Sequence, residues 1–162
     1  MAYWTHYWTN KTVEENGGLG TMGHTADSVF VKRGVRPEDV VYVVTNIQGT
    51  VHLIGRLVVD QVLDQWGAEQ FFGQPLWHAT DHLIARKPLS KCRNDVSVPH
   101  DKLSEIEFIT AKGTADLKFD KRKGVDPRAV DRQTLRGVRE ITASTAGLFD
   151  SLLKKKPSGR HN

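Results

Sequence analysis

Residues 2–8 alternate as a strand does, with Ala2, Trp4, His6 and Trp8 on one face and Tyr3, Thr5 and Tyr7 on the other. Polar residues follow at once. Asn10 or Thr12 is placed to cap a short helix, and Thr12-Val13-Glu14-Glu15 has capping-box spacing. Asn16-Gly17-Gly18 ends that helix, and a glycine-rich loop runs to Gly23. His24-Thr25-Ala26-Asp27 then reads as the opening of a second short helix carrying Val29, Phe30 and Val31, stopped by Gly34. Pro37-Glu38-Asp39 makes a turn, since proline presets the backbone for one.

The strongest pattern comes next. Val40 to Ile47 is β-branched and apolar, Gln48-Gly49 is a turn, and residues 50–62 form a second long strand. That order predicts a β-hairpin. Gly55 inside its second strand predicts a bulge or a close backbone approach. Asp64 caps a predicted helix over Gln65–Phe72, ended by Gly73-Gln74-Pro75. Residues 76–85 follow, with their latter part a strand, and residues 86–102 are polar and irregular. Residues 105–110 alternate as a half-exposed strand, Leu117-Lys118-Phe119 reads as a short one, and residues 120–131 read as loop. Thr142 caps a last amphipathic helix whose apolar face is Ala146, Phe149, Leu152 and Leu153.

Strands grouped about one long hairpin, with short helices between them, predict an α+β fold: a small β-barrel or strongly bent sheet wrapped by helices. The order is not a regular βαβ alternation, so a doubly wound fold is not expected. With 162 residues the chain is long enough for one ordinary core. Residues 1–153 are read as a single domain and residues 154–162 as a basic, disordered tail. No apolar run approaches the ~20 residues of a membrane span, and no secretory signal opens the chain. A cytoplasmic protein with no membrane partner is the expectation. The single cysteine, Cys92, excludes an internal disulfide and a multi-cysteine metal site.

Charge changes the picture. Residues 1–117 carry 11 Lys/Arg and 14 Asp/Glu, a net of −3, whereas residues 118–162 carry 12 and 5, a net of +7. Without residues 154–162 the remainder of that last third, residues 118–153, still holds 8 basic against 5 acidic residues, or +3. A basic third on a near-neutral body suits a polyanion, and nucleic acid is the commonest.

Catalytic machinery is sparse. His78 and His82 have the i, i+4 spacing of a helical metal pair, but the Glu of H-E-x-x-H is missing and the run favours a strand. There is no G-x-S-x-G and no P-loop. No catalytic residue, metal ligand or cofactor is therefore assigned. Binding machinery is better represented. Trp8, where a strand breaks into a loop, is placed to stack on a flat base, although rings of this size also serve as core. Asn10 both donates and accepts, and His24, Thr25 and Asp27 offer short polar groups that also suit plain helix capping. Arg136, beside Gln133 and Thr134, is placed to hold a phosphate.

Tyr3-Trp4, the stretch VRPEDVVYVVTNIQGTVHLIGRLVVDQVL with Pro37, Asp39 and Tyr42, and the later LWHATDHLIA together resemble the PUA-like superfamily, nearest its EVE and ASCH group. The resemblance covers roughly residues 1–90. The Ser-Glu-Pro and Trp-x-Gly-Val-Arg-Asn stretches of the EVE pattern are absent. The resemblance implies a pseudobarrel of about five to six mostly antiparallel strands, surrounded by short helices. It further implies a stand-alone, non-catalytic reader that holds a modified base of DNA or RNA in an aromatic-walled pocket. On this chain the base pocket would comprise Trp8, Asn10, His24, Thr25, Asp27, Trp77 and Asp81, with Lys32, Arg33, Arg132 and Arg136 on phosphates. Two alternatives stand beside it. One is an ASCH-like hydrolase of a modified nucleoside, using Lys32, Thr25 and Glu38. The other is a regulatory protein-binding module.

Overall fold

The computed structural model describes residues 1–16 and 20–156. The chain runs β1 (Tyr3–Tyr7), α1 (Asn10–Asn16), β2 (His24–Asp27), α2 (Phe30–Arg33), β3 (Val40–Ile47), β4 (Thr50–Leu63), α3 (Gln65–Phe72) and β5 (Asp81–Ala85), then β6 (Glu107–Thr110), β7 (Gly113–Asp116), β8 (Val138–Ile141) and α4 (Ala143–Leu153). Short 3₁₀ turns lie at His100–Glu105 and Arg132–Thr134. The strands form one sheet of eight, in the order β2-β5-β4-β3-β1-β8-β6-β7. β1 and β3 pair in parallel and the other named ladders are antiparallel. The fold is thus α+β and mostly antiparallel. It has more strands than expected, and its backbone ladders leave β2 and β7 as open edges.

The hairpin forms as its sequence dictates. Gln48 and Gly49 both take positive φ, 52° and 81°, the requirement of a two-residue turn matched to strand twist. Val43 faces Gly55 but Val44 faces Leu53, so Ile54 is the extra residue of a bulge. Gly55 is there because Met22 packs on it: a Cβ would lie 2.6 Å from the Met22 methyl. β4 is long enough to serve two partners, β3 along its first part and β5 along its last.

The first five residues of β3, Val40–Val44, are apolar or aromatic because that stretch is covered on both faces. Val40, Tyr42 and Val44 join the core beneath α4, with Phe108, Leu135, Ile141 and Phe149. Val41 and Val43 join the opposite core, with Trp4, Trp8, Met22, Phe30, Ile54 and Leu83. The alternation expected of β1 holds: Trp4 and Trp8 enter the second core, while Tyr3 and Tyr7 pack on the first. Asp39 fastens that end of the sheet. Its carboxylate is buried and accepts from the Trp4 indole (3.0 Å), the Ala2 amide (2.9 Å) and the Arg36 amide (3.0 Å).

Three helix starts show how local chemistry sets boundaries. Asp64 caps α3 through the Gly67 amide at 2.7 Å, and Thr142 caps α4 through the Thr145 amide at 3.2 Å, both as expected. The first helix is capped by Thr9, whose hydroxyl takes the Thr12 amide at 3.2 Å, and not by Asn10 or Thr12.

Other expectations are corrected. His24–Asp27 is strand β2 and not a helix start, because β5 supplies a ladder for its backbone. The second helix is only the turn Phe30–Arg33, closed by Gly34 at φ 99°. The strand expected at Leu117-Lys118-Phe119 is a single bridge, Phe119 to Val130, and the strand proper is β7, just before it. β6 starts at Glu107, since Glu105 closes a 3₁₀ turn. The turn expected at Gly17-Gly18 and the tail from Pro157 lie outside the described residues. Lys154 and Lys155, at the start of the expected tail, donate their amides to the last turn of α4. No helix among the described residues is long and apolar enough to cross a membrane.

Candidate nucleic-acid interface

The residues singled out from the sequence divide into three places. The first is a buried polar network between β1 and β2. Side chains alternate along β2, so Thr25 and Asp27 face inward toward β1. Thr25 Oγ1 lies 3.0 Å from Trp8 Nε1 and 2.8 Å from His6 Nδ1, and His6 Nε2 lies 3.1 Å from Asp27 Oδ2. An indole can only donate, so Thr25 accepts from Trp8. Passing its own hydroxyl hydrogen to His6 Nδ1 leaves Nε2–H for Asp27, and every polar hydrogen then has an acceptor. The hydrogen bond from His6 holds the Asp27 carboxyl below its ordinary range, and Asp27 Oδ1 also accepts the Val29 amide at 3.2 Å.

The Asp–His–Thr order is that of a nucleophilic relay. Its hydroxyl, however, is 0% exposed and lies against Trp8, itself 5% exposed. Such a network ties two strands together across the second core. Trp8 as it stands presents almost no ring surface to a ligand. Asp81 is also spent on structure: it is buried and accepts the Val31 amide at 2.9 Å, holding α2. Glu38 is turned outward into an ion pair with Arg86, away from the sealed Thr25.

The second place is the outer side of β2 and β5. The His24 ring stacks on His82 at 5.1 Å, lies tilted 4.8 Å from Trp77 and meets Phe72 edge-on at 5.2 Å. His82 Nε2 faces two acceptors, Gln65 Oε1 at 2.8 Å and the Ala79 carbonyl at 3.2 Å. It must donate there, so its Nδ1 accepts from His24 Nε2 at 2.9 Å. Burial, and secondarily the neighbouring His82, pull the His24 pKa down to about 4. The structure therefore joins His24 to Trp77. It pairs His82 with His24 and not with His78.

The third place is an open cleft of about 1400 Å³. Its position follows from the hairpin turn. Val130 donates its amide to the Gly49 carbonyl at 2.8 Å, and Asn46 Nδ2 donates to the Val130 carbonyl at 2.8 Å while its Oδ1 accepts the Gly49 amide. These bonds staple residues 117–133 across the tip of the hairpin. One wall is the segment 117–133 itself, and Arg139 of β8, its guanidinium 3.8 Å over the Phe108 ring, donates to the Thr134 carbonyl at 2.6 Å and so fixes the turn that carries Arg132. The other wall is the start of α1, where Asn10 Oδ1 accepts from Thr45 Oγ1 at 3.1 Å. His52 lies opposite Thr45 in the ladder, on the same face, and its Nδ1 is buried with no partner among the described residues. Burial lowers its pKa.

Asn10 and Arg132 thus line one cleft, joined there by Lys118, Phe119, Lys121 and Gln133. The carboxylates in it are engaged. Asp120 clasps Arg122, Asp126 holds Arg128, and Asp131 caps the 3₁₀ turn through the Gln133 amide. Lys118, Lys121 and Arg132 have no ion-pair partner among the described residues. Lys32 and Arg33 on α2, and Arg136 before β8, do not line the cleft. Sequence reasoning missed Lys118, Lys121 and Phe119, although the basic last third of the chain pointed toward them. It missed His52 for want of any local signal.

The chain matches no family model, no curated protein and no solved structure.

Proposed function

We propose that this protein is a non-catalytic nucleic-acid-binding module whose ligand lies in the cleft between α1, the hairpin tip and residues 117–133. One observation carries the reading: Asn10, Gln133 and Phe119 share a single groove with Lys118, Lys121 and Arg132, cations that have no ion-pair partner among the described residues. An amide presents a donor and an acceptor to a base edge, an aromatic ring presents a stacking face, and cations meet phosphates. The groove volume, about 1400 Å³, exceeds the ~300–1,000 Å³ usual for a small-molecule pocket. That favours a stretch of strand over a free nucleoside. The cleft carboxylates are engaged in local ion pairs and a turn cap, which favours binding over hydrolysis. The resemblance to the PUA-like superfamily adds that the base read would carry a modification, while the burial of Trp8 moves the proposed reading position to the neighbourhood of Asn10 and Phe119.

The test is fluorescence anisotropy with short single strands of DNA and RNA, unmodified and carrying methylated or hydroxymethylated bases. Binding should be tightest for an unpaired strand, should prefer one modification, and should lose that preference in Asn10→Ala. Absence of binding to every strand at low salt, or a preference untouched by Asn10→Ala and Phe119→Ala, would overturn the reading.

A further inference from the structure

A second cavity, of about 640 Å³, opens between β4, the segment after β5 and the end of α4. It is lined by four cations, Arg56, Lys91, Arg93 and Lys154, against one carboxylate, Asp150, a formal balance of +3. One oxygen of that carboxylate is already engaged. Asp150 Oδ1 accepts from Tyr42 Oη at 2.8 Å and from Arg56 Nε at 3.0 Å.

That pair of bonds fixes the Arg56 guanidinium, which also lies 6.0 Å over the Tyr42 ring. Its two Nη groups have no hydrogen-bond partner among the described residues. A guanidinium held by Nε, with both Nη groups unspent, is a fork that fits two oxygens of one tetrahedral anion. Arg93 has a different task. It donates to the carbonyls of Leu153 (3.0 Å) and Lys155 (3.2 Å) and pairs with Asp95. It thereby neutralises the carbonyl end of α4, which would otherwise repel an anion. It also pins Lys154 at the cavity wall. Lys91 and Lys154 have no ion-pair partner among the described residues and flank the fork from two further segments. The Ser90 hydroxyl adds a donor at the rim.

We propose that this cavity is a phosphate site, in which the Arg56 Nη groups grip a phosphoryl group flanked by Lys91 and Lys154. It is separate from the cleft: Gly49 sits in the hairpin turn just before β4 and Arg56 is the seventh residue of β4, which sets them roughly 20 Å apart at the rise of a strand. The site stands whether or not the cleft binds a strand. The phosphoryl group has two sources, a small phosphorylated molecule or the phosphate of a nucleic-acid end.

Titration of the whole protein with inorganic phosphate at constant ionic strength, followed by ¹⁵N NMR including the arginine Nε–H signals, tests it. The expected result is a saturable shift of the Arg56 Nε–H and of the Ser90, Lys91 and Lys154 amides. Chloride at the same ionic strength should leave them in place. Lys91→Ala with Lys154→Ala removes two exposed side chains and should weaken the phosphate Kd about tenfold, each factor of ten being about 1.4 kcal/mol. Arg56→Lys keeps the charge but removes the fork, and should weaken it as well. A hexanucleotide with a 5′-phosphate, compared with its 5′-hydroxyl form, separates the sources. A shift of Arg56 by the phosphorylated strand alone assigns the nucleic-acid end, and a shift by phosphate and by a mononucleotide but by neither hexamer assigns a small molecule. Shifts that do not saturate, that chloride reproduces, or that persist unchanged in the double variant would overturn the proposal.

Discussion

The network between β1 and β2 and the cleft at the hairpin tip are built from similar polar residues, yet they end in opposite states. Between β1 and β2, Trp8, His6, Thr25 and Asp27 use every polar hydrogen on one another. In the cleft, Lys118, Lys121 and Arg132 find no ionic partner among the described residues. A buried polar group left unpaired costs stability, so interior groups are matched to each other. Groups at a binding surface are left for a ligand to match. Satisfaction, more than residue type, separates architecture from recognition here.

Trp8→Ala should lower stability by ~3–5 kcal/mol, the usual cost of truncating a core aromatic. Thr25→Val, which keeps the shape but strands the Trp8 and His6 nitrogens, should cost ~1–3 kcal/mol. Urea denaturation measures both. A Trp8→Ala protein of near-native stability that no longer bound any strand would make Trp8 a ligand-contacting ring and erase the contrast.

Gly49→Val probes the joint between architecture and cleft. The residue has φ 81°, and its Cβ would lie 2.5 Å from that of Ala129. A β-branched side chain there should cost ~1–3 kcal/mol through backbone strain alone. It should also push residues 117–133 off the hairpin and weaken binding in the cleft. A variant that loses stability while binding with native affinity would detach the cleft from the hairpin tip.

The His24–His82 pair sharpens the same division in pH. Free histidine titrates near 6.5, whereas His24 in the fold titrates at about 4. Between those values the unfolded chain takes up a proton that the folded chain refuses. Stability should therefore fall as pH drops from 6.5 to about 4, and this ring should contribute no further change below that. The loss is on the order of 1–2 kcal/mol once solvent screening at a partly open ring is allowed for. Asp27 acts in a lower window. Its carboxyl is held down by His6, so its contribution is present above the ordinary carboxylate value and is lost as pH falls through its lowered one. His24→Gln keeps a donor for His82 and should flatten the upper window only. An unchanged stability profile between pH 6.5 and 4 in that variant would show that His24 is not the group responsible.

How much of this was legible beforehand follows the range of each signal. The hairpin, the Asp64 and Thr142 caps and the two faces of β1 are written within a few residues, and each formed where expected. β2 and β8 have four residues each. Their backbones are strands because distant partners complete them, so His24-Thr25-Ala26-Asp27 read alone as a helix start. The burial of Trp8 is hidden from a local reading for the same reason. Its aromatic character was plain, but the hydroxyl that buries its indole sits on another strand. Asn10 and Arg132 were each singled out on local grounds. Their meeting in one cleft depends on the bonds from Asn46 and Gly49 to Val130, which no local pattern announces.

The smallest effect on stability should accompany the clearest effect on binding. Lys118→Ala, Lys121→Ala and Arg132→Ala remove side chains with no ion-pair partner among the described residues, so each should leave stability within the ~0.5 kcal/mol typical of surface substitutions. If each meets one phosphate, each removal should reduce the magnitude of the slope of log affinity against log salt by about 0.7 on a single strand. Affinity should fall alike for modified and unmodified strands, because a phosphate contact positions a strand without reading its bases. The measurement is a salt titration of binding for the wild type and the three variants, with thermal unfolding of the same samples. An unchanged salt slope in all three would mean that the strand does not run through this cleft. A loss of stability in all three would mean that these cations belong to the architecture after all.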